Sequence, residues 1–256
     1  MDITASMIKA FKNCPKKYFF EYVERLKPTE TPEVLETGRN YHEYLEWLLT
    51  DKPFEVTDLP SAMADAFDRF IPWRTWDVSK VEEEFRVKIG PGVWLKGKID
   101  ALTADGTPIE HKSSSVKGDE KYRTRLFLDD QVSCYLLALT LMRGAPVNQI
   151  IYTVCQKPQL KIKNTPEELL ERQRAWFDAE KVTSFAVVRQ TQEISEFQDE
   201  VLYLARSIAA RKVFYRNPGA CAIMPCAYQS ICQDYDPECL VGFERKERMN
   251  EELCRF

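Results

Sequence analysis

The chain has 256 residues, 44% of them hydrophobic and 30% charged, with a net charge of −4. This apolar share excludes a disordered chain and suits one large domain, or a core with an appended subdomain. The mild acidity excludes a globally basic surface. Nucleic-acid contact must then rest on a local patch, for which Lys96, Lys98, Lys117, Lys121, Arg123 and Arg125 are the candidates. No apolar run approaches a membrane span, and residues 1–6 lack the basic and apolar regions of a signal peptide. The expectation is a soluble, cytoplasmic protein. In a reducing compartment its eight cysteines point to metal binding before disulfides. No glycine-rich phosphate loop is found.

Ser6 is placed to cap a short helix ending near Asn13, and Cys14-Pro15 opens a second with Tyr18, Phe19 and Tyr22 as its apolar stripe. The stretch 28–32 breaks it. A third helix is predicted over 37–50, where His42 shares a face with Leu45 and Leu49; a lone histidine there reads as a satisfied core residue. Residues 61–71 read as helical, and 72–76 as a loop with buried tryptophans. Alternation predicts a strand over 81–89, Gly90-Pro91-Gly92 turns it back, and 93–102 returns as the next strand.

After the Ala104-Asp105-Gly106 turn a further strand carries Glu110, His111 and Lys112. Side chains two apart share a face, so Lys96, Lys98 and Asp100 lie together on one strand, and Glu110 and Lys112 together on its neighbour. Two carboxylates and an ammonium then reach a common point, which is a site for divalent cations. Asp100 and Glu110 supply the hard oxygen ligands that Mg²⁺ or Mn²⁺ prefers, and Lys112 can orient a water or offset charge on phosphorus. An acid-x-lysine triplet alone also fits an exposed, salt-bridged hairpin.

A long helix is predicted over 123–142, with Gln131 and Tyr135 on the side of Leu128 and Leu139, facing the sheet. A buried strand over 149–155 completes a strand–helix–strand crossover. An amphipathic helix over 165–181, a strand over 185–189 and a helix over 195–214 follow. Near the end, Cys221-x4-Cys226-x5-Cys232 has ligand spacing, and three thiolates want a fourth. Cys14 is the leading candidate, with Cys239 and Cys254 in reserve. Such a centre would tie the chain ends together, as an iron–sulphur cluster or a four-cysteine zinc site. Cys134 and Cys155 read as buried apolar fillers.

Ile99-Asp100 followed by Ile109-Glu110-His111-Lys112 resembles the signature of the PD-(D/E)XK nucleases. Gly38-x-x-x-His42 and Gln131-x-x-x-Tyr135 resemble its RecB-like branch, and Cys14 with the three late cysteines resembles the iron–sulphur members of that branch, the AddB-type and CRISPR-associated nucleases. One departure is the Cys221 to Cys226 spacing, wider than the common Cys-x-x-Cys. The resemblance implies an α/β, restriction-endonuclease-like core with a central mixed β-sheet flanked by helices. It implies one nuclease domain over 1–256, with 37–190 as catalytic core and 1–36 and 191–256 as a helical iron–sulphur clasp. Asp100, Glu110 and Lys112 would be catalytic, and His42, Asp100, Glu110 and the carbonyl of His111 would hold Mg²⁺ or Mn²⁺. Gln131 and Tyr135 would line the DNA path, and Cys14, Cys221, Cys226 and Cys232 would hold a [4Fe–4S] cluster, with Zn²⁺ as the alternative. The function so implied is a metal-dependent exonuclease on single-stranded DNA or DNA ends, with a helicase or recombination factor as a further expected partner. The alternative is a non-catalytic DNA-end-binding or scaffolding component of a recombination or CRISPR adaptation complex.

Overall fold

A computed structural model describes residues 1–161, 165–223, 226–236, 240–250 and 253. Cys239 and Cys254, the reserve ligands, lie outside the described residues. In chain order the first half contains β1 (Asp2–Ile3), α1 (Ala5–Asn13), α2 (Pro15–Tyr18), β2 (Leu26–Pro28), α3 (Glu33–Leu49), α4 (Leu59–Phe70), β3 (Val78–Gly90), β4 (Val93–Thr103) and β5 (Pro108–Ser114). Then come α5 (Glu120–Arg125), α6 (Asp130–Arg143), β6 (Gln149–Gln156), α7 (Pro166–Trp176), β7 (Val182–Val188), α8 (Thr191–Ala209), α9 (Pro218–Ile223), α10 (Gln229–Gln233) and β8 (Phe243–Arg245). The result is an α/β fold with a central mixed sheet and flanking helices. No described helix is long and apolar enough to cross a membrane.

The chain divides into two compact units, and the boundary between them falls inside β3 and β4. One comprises Pro32–Phe85 and Lys98–Ile194. In it β4 and β5 are antiparallel with Ala101 opposite Ile109, β5 and β6 are parallel from Ile109–Ile151 to Ser114–Gln156, and β6 and β7 are antiparallel. The parallel pair is the expected crossover, spanned by α5 and α6. On one face of the sheet α3 and α4 bury Tyr41, Leu45, Met63 and Phe67 against Ala101, Ile109 and Cys155. Small residues permit the close approach: a Cβ on Gly38 would stand 3.3 Å from the Ser113 hydroxyl, so α3 lies against β5 one turn before His42. In α6 every side chain from Val132 to Leu139 is buried, as expected of a helix apolar on all sides.

The other unit comprises Met1–Thr31, Arg86–Gly97 and Ser195–Phe256. There β1 runs parallel to the Trp94–Leu95 part of β4, and β2 pairs antiparallel with β8, placing Leu26 opposite Arg245. Phe20, Leu26, Tyr228 and Ile231 form its buried cluster. Cys14, Cys221, Cys226 and Cys232 all belong to this unit.

Element boundaries depart from the sequence reading where a side chain competes for the backbone. The helix expected over 123–142 is two helices joined by a 3₁₀ turn, Leu126–Leu128, because the Asp129 carboxylate accepts from the amides of Gln131 at 2.9 Å and Val132 at 3.1 Å. Leu128, expected to face the sheet, stands before α6 and is 83% exposed. Thr4, not Ser6, caps α1, accepting from the Met7 amide at 3.2 Å. Helix α3 begins at Glu33, straight after Pro32, rather than at 37, and α7 stops at Trp176, where Phe177 turns extended.

Because Asp129 starts α6, Asp129→Ala is expected to lower unfolding free energy by about 1 kcal/mol. Asp119→Ala, which uncaps the short exposed α5, should cost clearly less; urea unfolding of both variants checks the difference.

Candidate active site

Asp100 near the end of β4 is the hub. Its Oδ2 accepts the His111 backbone N–H at 2.8 Å across the β4–β5 pair, and its Oδ1 lies 3.5 Å from His42 Nδ1 on α3. Ligand atoms of His42, Asp100 and a third residue, Glu82 of β3, all lie within 4.8 Å of one another. Glu110 on β5 is 1% exposed; its Oε1 meets the Lys112 ammonium in an ion pair, and its Oε2 has no hydrogen-bond partner among the described residues.

Lys112 Nζ also donates to Gln131 Oε1 at 2.8 Å. Gln131 Nε2 donates to Tyr135 Oη at 2.7 Å, and Tyr135 Oη donates to the Lys98 carbonyl at 2.6 Å. Lysine offers only donors, so the glutamine oxygen must face it and the amide NH₂ must face the tyrosine. The polar groups at 131 and 135 are therefore engaged in holding Lys112 and joining α6 to β4.

Strand alternation sends the His111 ring to the opposite face from Glu110 and Lys112. There Nδ1 lies 2.7 Å from the Thr153 hydroxyl, and the ring meets Phe67 edge-on at 5.2 Å between centroids. What His111 offers the site is its backbone.

Electrostatics follow from burial. Burial pushes the Asp100 pKa up, but His42, with help from Lys112, outweighs it and holds the carboxyl well below the usual range. Glu110 goes the other way: burial and the Asp100 charge raise it more than Lys112 lowers it. Burial works against a charged His42 and a charged Lys112, yet the neighbouring carboxylates prevail and raise both. For His111 burial outweighs the Asp100 charge, and the ring is depressed to about 4. Burial, then the carboxylates, keeps Tyr135 a neutral phenol.

Glu82 is the member of this group that sequence reasoning missed; its ion-pair partner Lys98 was already placed beside Asp100 and among the basic candidates. The one available signal was the Glu82-Glu83-Glu84 run, which interrupts the alternation of β3; at that point Glu82 has φ 53°, rare for a non-glycine residue. Three of the six basic candidates are already paired: Lys96 lies 3.8 Å from Asp2, Lys98 pairs with Glu82, and Lys117 lies 2.8 Å from Glu180.

In the other unit, Cys14 is buried, Cys226 and Cys232 are half-buried and Cys221 is exposed, all as free thiols. Partial desolvation and the nearby sulfurs of Cys14, Cys226 and Cys232 raise the Cys221 pKa. Arg216 donates to Cys232 through Nε, 3.4 Å from Sγ, and through a terminal nitrogen, 2.6 Å from the carbonyl. Among the described residues no three cysteine sulfurs lie within 4.8 Å of one another. Cys134 and Cys155 are buried, at 1% and 0% exposure.

A mixed sheet presenting an aspartate and a glutamate-x-lysine triplet on adjacent strands defines a nuclease-type core. The profile of the PD-(D/E)XK nuclease superfamily matches residues 2–77 and 58–233, and the chain belongs to that superfamily. Among solved structures it is similar to a putative exonuclease from Eubacterium rectale, with 11% identity and a TM-score of 0.53, over 87% of this chain and 85% of that one. A phage-related exonuclease from Haemophilus somnus matches at 13% identity and TM-score 0.42, over 81% and 93% of the two chains. An alkaline exonuclease from Laribacter hongkongensis matches at 12% and 0.36, over 82% and 88%. At 11% identity the first of these likenesses is one of fold. No curated protein matches the chain.

The His111 environment has a consequence for stability. An unfolded histidine takes up a proton below about pH 6.5, whereas the folded one resists until about 4, so acidification through that window favours the unfolded chain. Wild type should therefore lose on the order of 2–3 kcal/mol between pH 6.5 and 4 that His111→Asn does not lose. Urea titrations at stepped pH, compared as slopes, check this; parallel slopes would show that His111 carries no such penalty.

Proposed function

We propose that the protein is a divalent-metal-dependent deoxyribonuclease of the RecB-like branch, acting as an exonuclease on single-stranded DNA or DNA ends. The observation that supports this reading most is the His42–Asp100 pair joining α3 to β4, with the Glu110–Lys112 pair of β5 near enough for its charges to bear on His42. The donors fit a hard cation: imidazole nitrogen, carboxylate oxygens, and in Glu110 a buried carboxylate whose Oε2 has no hydrogen-bond partner among the described residues. His42, Asp100, Glu110 and the His111 carbonyl would hold Mg²⁺ or Mn²⁺. Such an ion supplies Lewis-acid polarisation of the phosphate and a more acidic water.

The remaining work falls to the chain itself. Lys112, kept protonated by Glu110 and Asp100, offers an ammonium for water orientation and for charge developing on phosphorus. Gln131 accepts one of its protons and fixes its direction, and Tyr135 fixes Gln131. We assign both to positioning Lys112, in addition to the DNA contacts that the family resemblance implies.

For the clasp formed by residues 1–36 and 191–256 around a 37–190 catalytic core, we propose a [4Fe–4S] cluster on Cys14, Cys221, Cys226 and Cys232. Three observations support it: the four thiols share one compact unit, three of them bear on the acidity of Cys221, and Arg216 offers an N–H to Cys232. A zinc ion would draw four sulfurs to ~2.3 Å from one centre, a tighter grouping than these side chains form.

With Mg²⁺ or Mn²⁺ and end-labelled DNA, Asp100→Ala and Lys112→Ala should each lower degradation by roughly 10³-fold while far-UV circular dichroism stays native. Full activity in both would sink the assignment. Gln131→Ala should lower kcat more than DNA affinity. Protein purified without oxygen should be brown and bleach on reduction, and Cys226→Ser should be colourless; a colourless wild type carrying zinc would replace the cluster with the ion.

A further inference from the structure

Building on the metal-dependent reading, we infer that Glu82 is an additional cation ligand and that Lys98 occupies its carboxylate as a stand-in until the cation and the DNA arrive together. The conformation of Glu82 points to a constraint beyond folding. A left-handed backbone at a non-glycine residue within a strand costs about 1 kcal/mol or more, yet Glu82 adopts φ 53°. Its carboxylate joins a group of mixed donors, imidazole and two carboxylates from three separate elements, with ligand atoms within 4.8 Å. Glu110 is not a member of that group, but it is near enough for the Asp100 charge to act on it, so three acids share one neighbourhood.

The two lysines that answer them are held differently. Lys112 is directed by Gln131 as well as by Glu110. Lys98 is anchored through its carbonyl, which accepts from Tyr135, while its side chain is 33% exposed and pairs with Glu82. A long, half-exposed side chain on a fixed backbone can change partner without disturbing the fold. A dication entering among His42, Glu82 and Asp100 competes with a monocation for the same carboxylate, and the released ammonium is then available to a phosphate. Cation and DNA would thus favour each other's binding, and that coupling must be reciprocal.

The test uses the full chain. Mn²⁺ affinity without DNA is measured by calorimetry, and affinity for a fluorescein-labelled oligonucleotide by anisotropy with and without Ca²⁺, cleavage being checked as absent. Glu82→Gln should weaken Mn²⁺ roughly tenfold. Lys98→Gln should tighten it about threefold and abolish the gain in DNA affinity on adding Ca²⁺. Glu82→Asp, read with its circular dichroism and melting, distinguishes a lost ligand from a lost fold. If Glu82→Gln binds Mn²⁺ like wild type while Asp100→Asn does not, Glu82 is no ligand. Should Lys98→Gln keep both the wild-type Mn²⁺ affinity and the Ca²⁺ gain, Lys98 is no stand-in. A wild type that binds no Mn²⁺ overturns the metal-dependent reading itself.

Discussion

Two carboxylates withdrawn from water beside each other repel strongly, because the low dielectric of an interior strengthens every uncompensated charge. Asp100 is 8% exposed and Glu110 1%, so the surrounding fold must bring positive charge and N–H groups to them. It does so from three directions: His42 from α3, Lys112 from β5, and the His111 amide through the β4–β5 pairing. None of these is free to drift. His42 is held near by a helix that lies close to β5 where residue 38 has no side chain, and Lys112 by an amide on α6. Burial raises both acids, but His42 draws Asp100 back below the usual range while Glu110 stays raised, as expected where like charges share a site and only one is well compensated.

The break before α6 acquires its meaning from the same constraint. A continuous helix over 123–142 would leave the rotation of Gln131 to the packing of distant turns. The Asp129 cap, two residues earlier, fixes the first turn of α6 directly, and so aims the Gln131 amide at Lys112. From there the bonds run through Tyr135 to the Lys98 carbonyl and tie α6 to β4. A perturbation at any of these positions is therefore transmitted to the ammonium, not merely to local packing.

What was legible in the sequence was local or periodic. Asp100, Glu110 and Lys112 could be placed together because a tight turn and a period of two determine which side chains share a face. His42 was not readable that way, since helical spacing puts it among leucines; the Gly-x-x-x-His pattern pointed to it. The Asp129 break was missed because apolar periodicity continues across it, whereas the capping bond depends on one side chain outcompeting the helix for two amides. Glu82 was hidden among three glutamates, and the rotation that selects it is a backbone angle that residue identity does not reveal. The pairing of β2 with β8 was invisible for another reason: each is three residues long, and they are more than two hundred positions apart.

Under the metal-dependent reading, charge balance sets what must change when a cation enters. Glu82, Asp100 and Glu110 contribute three carboxyls, and Lys98 and Lys112 two ammonium groups, with His42 supplying the adjustable remainder. Adding two positive charges to that set would leave it in excess unless a proton or an ammonium departs. His42 can lose its extra proton, and Lys98 can leave; Lys112 cannot leave without abandoning Gln131 as well. His111 is outside this exchange. Its ring, neutral and turned toward Thr153 and Phe67, adds no charge to the balance, so the strand can pass a backbone N–H to Asp100 between two charged residues without introducing a fourth cation.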